Sequence, residues 1–77
     1  MKEGPHNHPA YNDAVRKAVS LAAEGNECMV CIEGNHMYIS LMGEAPPQAT
    51  VVCIAQKWDA NTVQLRFGGA RSEWVKV

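Results

Sequence analysis

A chain of 77 residues, 47% hydrophobic and 19% charged, has length for one globular core, since a domain ordinarily takes about 100–200 residues. That balance excludes a disordered charged tail, and a formal net charge of -1 removes the basic footprint of a general nucleic-acid binder. No apolar run approaches the roughly 18 residues needed to cross a bilayer, so neither nucleic acid nor membrane is expected as a partner.

The first segment, Met1-Lys2-Glu3-Gly4-Pro5-His6, lacks the apolar stretch of a signal peptide. Residues 1–8 are expected to form a flexible arm on a single domain spanning 1–77. From Pro9 to Glu24 the apolar positions Tyr11, Ala14, Val15, Ala18, Leu21 and Ala22 recur at spacings of three and four, which predicts one amphipathic helix. Pro9 suits a first turn, Asn7, His8 or Asn12 is available as a cap, and Gly25-Asn26 follows the end as a C-cap. The Ala-rich stripe lets the helix lie close against a sheet.

Beyond Gly25 the period changes to two. Cys28, Val30 and Ile32 alternate with Met29, Cys31 and Glu33, and after Gly34-Asn35 the residues Met37, Ile39 and Leu41 alternate with Tyr38, Ser40 and Met42. A two-residue loop between such runs predicts a hairpin with Glu33 opposite His36, Val30 opposite Ile39 and Cys28 opposite Leu41. The face holding Val30 and Ile39 is uniformly apolar and is assigned to the helix.

Pro46-Pro47 forbids a continuing strand, and Thr50–Trp58 with Thr62–Phe67 forms a second hairpin. A three-residue loop, Asp59-Ala60-Asn61 with Asn61 left-handed, puts Val51, Cys53 and Ala55 on the helix side with Val63, Leu65 and Phe67. After the Gly68-Gly69 break, 74–77 offers a short fifth strand. The expected architecture is α+β: one N-terminal helix packed on one face of a four- or five-stranded antiparallel sheet built from two hairpins.

Three motifs carry possible chemistry. Cys28 and Cys31 have the Cys-x-x-Cys spacing, but on a strand the two sulfurs leave on opposite faces, so they and Cys53 read as small core residues. Three thiols without framework spacing also point to a reducing, cytoplasmic setting. His6 and His8, with His36, have imidazoles but nothing that makes them converge, and no metal or other cofactor is assigned. Arg66, Gly68, Gly69 and Arg71 form a loop that could present backbone N–H groups and two guanidinium groups to a small anion or nucleotide, without the spacing of a phosphate-binding loop. No serine has a histidine near it in sequence, and no enzymatic activity is assigned.

What remains is the sheet face away from the helix, where Met29, Tyr38, Met42, Ile54 and Trp58 are expected to form a contiguous apolar patch. The leading expectation is a non-catalytic protein-interaction module. It works through that face as a homodimer, or as an accessory or inhibitor on a larger protein, of a kind that phages and mobile elements also encode. The alternative is small-anion or nucleotide binding at Arg66 to Arg71.

Overall fold

The computed structural model describes residues 8–44, 46–68 and 70–77. Within them the chain forms α1 (Tyr11–Ala23), β1 (Cys28–Glu33), β2 (His36–Leu41), β3 (Thr50–Asp59), β4 (Thr62–Phe67) and β5 (Ser72–Lys76). The five strands make one open antiparallel sheet in the order β2-β1-β3-β4-β5, with the helix on one face.

The helix begins two residues later than Pro9. The N-cap is Ala10, with no side-chain cap, and not His8 or Asn12; His8 braces the turn ahead of it, its Nδ1 accepting the Ala10 N–H at 3.0 Å and its carbonyl the Tyr11 N–H at 3.0 Å. Its Nε2 donates to the Asn35 carbonyl at 2.8 Å, tying the helix start to the β1–β2 turn. His8 is therefore anchored and not part of a flexible arm. The rest of that expected arm, with His6, lies outside the described residues. At the other end Gly25 takes a φ of 96°, and the bonds Gly25 N–H to Ala22 O and Asn26 N–H to Leu21 O close the helix as a Schellman motif.

The hairpin register of β1 and β2 is the one the alternation predicts, from Glu33 opposite His36 to Cys28 opposite Leu41. Gly34 carries a φ of 62° while Asn35 stays on the negative side, the pattern of a II′ turn whose twist matches its strands. In the second hairpin the pairs Cys53 with Phe67 and Ala55 with Leu65 are also as expected, but the loop is built differently. Asp59 pairs with Thr62 across a tight Ala60-Asn61 turn, and Trp58 is the extra residue of a bulge. Asn61 does not enter the left-handed region. Its N–H is instead taken by Asp59 Oδ1 at 2.9 Å.

A second bulge corrects the reading of β3. The register with β1 shifts between Val30 and Cys31, so that Cys53 faces Val30 but Val51 faces Cys31, leaving Val52 as the inserted residue. Val52 consequently packs on the helix-side core while Val51 is 44% exposed, the reverse of the strict alternation. The core is thin: Ala14, Ala18 and Ala22 of the helix meet Cys28, Val30, Cys53, Ala55, Val63 and Leu65 of the sheet. Three alanines on one stripe allow this close approach.

Candidate functional site

Among the described residues one face of the sheet has no second layer, and alternation from the core positions decides what it carries. Across its middle, Ser40, Met29, Ile54, Arg66 and Ser72 lie in one row of neighbouring strands, and Gln56, Gln64 and Trp74 in the next. The bulge lets Trp58 reach Trp74, whose ring it meets edge to face with centroids 5.7 Å apart. These two tryptophans are 59% and 52% exposed.

The face differs from the contiguous patch that composition suggests. Met29 is buried, and so is Cys31, because β1 lies between β2 and β3 and each is closed in by its cross-strand neighbours: Met29 by Ser40 and Ile54, Cys31 by Tyr38 and Val51. Ile54 and Tyr38 are half-buried. Met42 lies past the end of β2, in the turn that the Glu44 N–H closes onto Leu41 O, and is exposed. Of the five residues named for this face, Trp58 and Met42 are openly accessible, and they are not neighbours. Trp74, placed by the sequence only in a possible strand, belongs beside Trp58. The signal for it was the alternation of Trp74 against Val75, which packs on the helix side.

Polar groups divide the face. Gln56 Nε2 donates to Glu27 Oε2 at 3.3 Å, and Arg66 Nη1 approaches Gln56 Oε1 at 3.4 Å, forming a band between the tryptophan end and the Tyr38 end. At that second end, Glu33 accepts from Tyr38 Oη at 3.3 Å and from Gln48 Nε2 at 3.1 Å, while His36 stacks on Tyr38. The Tyr38 hydroxyl is pushed above its ordinary pKa by desolvation and by the Glu33 charge beside it.

The two arginines of the proposed anion loop do not converge. Arg66 projects to the open face, whereas Arg71 lies over the Phe67 ring at 4.5 Å and beside Glu73 at 3.8 Å. Phe67 packs toward the helix-side core, so the two guanidinium groups are on opposite sides of the sheet. Gly68 has open space about it, and Gly69 lies outside the described residues. The loop is closed by Phe67 N–H to Arg71 O at 2.8 Å and holds Ala70 at a φ of 63°.

Cys28, Cys31 and Cys53 are free and buried. Burial raises all three thiol pKa values, that of Cys53 to about 11. Among the described residues no three His, Cys, Asp or Glu side chains converge to hold a metal ion. No helix among them is long and apolar enough to cross a membrane. Comparison with family models, curated proteins and solved structures finds no match in any of the three.

Proposed function

We propose that the protein is a small non-catalytic interaction module that docks on a larger protein, as an accessory or an inhibitor, through the open face of its sheet. The observation that carries this reading is the Trp58–Trp74 pair, two large rings more than half exposed and fixed against each other. Tryptophan supplies wide contact area with few rotatable bonds, so little entropy is lost when a partner covers it, and it is among the residues that most often anchor interfaces. The neighbouring band of Glu27, Gln56 and Arg66 offers polar contacts that orient a partner. A non-catalytic role fits the chemistry nearby: the Ser40 hydroxyl is bonded to the Leu41 carbonyl, both His8 nitrogens are engaged, and the thiols are buried and held protonated. Three unpaired thiols support a cytoplasmic setting.

Affinity capture from the native host tests the proposal, with the wild-type chain beside Trp58→Glu, Trp74→Glu and a control on the helix layer, Arg16→Glu. A protein retained by the wild type and the control, and lost with either tryptophan change, is the expected result. Equal retention by all the variants, or loss with Arg16→Glu alone, contradicts it.

A further inference from the structure

The sheet ends in two edge strands, and they are unlike. β5 carries Glu73 and Lys76, charges of the kind that blunt an edge against pairing with another chain. β2, His36-Met37-Tyr38-Ile39-Ser40-Leu41, has no acidic residue, lysine, arginine or proline, and its register with β1 runs without a bulge. Among the described residues it has a neighbour on one side only.

Which of its backbone groups are free follows from the ladder. The Met42 N–H donates to Glu27 O at 3.3 Å, which marks that position as a hydrogen-bonded pair. In an antiparallel ladder such pairs alternate with non-bonded ones, so His36, Tyr38 and Ser40 spend their N–H and C=O groups on β1. Met37, Ile39 and Leu41 point theirs outward. The same three residues turn their side chains toward the helix, where with Leu21 they line a groove of about 500 Å³ whose rim carries Asp13 and Lys17.

We propose that β2 pairs antiparallel with β2 of a second copy of this chain, about a two-fold axis at Ile39, making one continuous ten-stranded sheet. This interface is separate from the open face and does not depend on the docking proposed there. Bonded pairs across the new seam must join outward-pointing residues. The register that joins most of them sets Ile39 opposite Ile39 and Met37 opposite Leu41. It forms four bonds from groups that have no other partner among the described residues. Two more fall on the Leu41 carbonyl, which already accepts the Glu44 N–H at 3.0 Å and the Ser40 hydroxyl at 3.3 Å, so they form as the hydroxyl rotates away and frees the second lone pair. Slipping by one pair in either direction leaves four bonds in all. On the helix side every pair across this seam is apolar.

The charges argue that the occupant is a second copy. The helix is pinned alongside β2 at two levels, by His8 on Asn35 and by Cys28 Sγ on Ala18 O at 3.4 Å, Cys28 being opposite Leu41. Ile39 is then level with the turn from Asp13 to Lys17. A two-fold axis there runs the two helices antiparallel and sets Asp13 of each at the level of Lys17 in the other. Asp13 also faces Arg16 of its own helix at 3.8 Å, an exposed contact weak enough for the partner's Lys17 to share. A surface carrying opposite charges one turn apart is complementary to itself in this arrangement.

Sedimentation of the full chain from micromolar to near-millimolar concentration, with amide hydrogen exchange on the same samples, tests the pairing. The expected result is a concentration-dependent dimer in which the Met37 and Ile39 amides gain protection as dimer forms, while those of Tyr38 and Ser40 are protected throughout. Ile39→Pro removes an outward N–H without touching the β1 ladder and should leave a monomer. Should that variant fail to fold, the charges decide: Asp13→Lys and Lys17→Asp each weaken the dimer about threefold, and the double reversal restores it. Trp58→Glu leaves the dimer intact, which separates this interface from the open face. A monomer at every concentration, a dimer whose Met37 and Ile39 amides exchange freely, or a dimer lost with Trp58→Glu would overturn the proposal.

Discussion

The two faces of the sheet are built from the same five strands and reach dryness by different means. On the helix side Ala14, Ala18 and Ala22 bring a second layer down onto Val30, Ala55 and Val63, and the contact is a close-packed core. On the open side Met29 and Cys31 are buried without a second layer among the described residues, because β1 lies between two strands whose side chains are bulkier or bonded. A small sheet can thus hide its middle from water and still leave its ends accessible. It is at an end, where the Trp58 bulge swings one ring against another, that the exposed aromatic surface gathers.

Changes on the covered face should cost most. Ala18, fully buried, has no room for a larger side chain, and Ala18→Leu is expected to cost about 3 kcal/mol by overpacking, read as a fall in the urea midpoint. Val30→Ala removes volume from the same contact and should cost about 2 kcal/mol. Ile39→Ala, only partly buried, should cost less, and Ser40→Ala on the open side almost nothing. Equal losses at Val30 and Ser40 would erase the distinction between the faces.

The Cys53 thiol gives a comparable effect through pH. Burial holds it protonated up to about 11 against an ordinary 9.0, so the folded state keeps a proton that the unfolded state releases. Its contribution is intact below pH 9 and is lost as pH rises from there through the folded value, about 3 kcal/mol in all. Thermal melts in alkali should show that decline in the wild type and a shallower one in Cys53→Ala.

Smaller still is the strain at Ala70, held at a φ of 63° where an alanine Cβ is crowded. Ala70→Gly should leave stability unchanged or raise it by up to about 1 kcal/mol, measured by the same melts. Smallest is Trp58→Glu on the open face, expected to move stability by no more than about 0.5 kcal/mol, because its ring is already mostly in water. A large loss there would mean the tryptophan pair serves the fold.

Local signals account for what could be read without coordinates. The β1–β2 register follows from two period-two runs and a Gly34-Asn35 loop whose length permits one pairing. The β3–β4 pairing was equally legible although its loop was not, since a bulge at Trp58 with a two-residue turn shifts the strands by the same amount as a three-residue loop. The bulge at Val52 left no trace, because Val51-Val52-Cys53-Ile54-Ala55 is apolar throughout and no polar residue marks where alternation slips. The candidate face suffered for the same reason. Alternation tells which side a residue leaves from, but not that Met29 and Cys31 are walled in by neighbouring strands, nor that Arg66 and Arg71 end on opposite sides across a turn.

The open face is tested most directly by fluorescence, since Trp58 and Trp74 are the two tryptophans of the chain and both lie on it. Labelled with 5-hydroxytryptophan, which can be excited apart from a partner's own tryptophans, the free protein should emit as water-exposed indole and be quenched readily by acrylamide. On binding the captured partner, the emission should shift to the blue and the quenching fall. Blue-shifted, shielded emission in the free protein, or no change in the complex, would contradict the account.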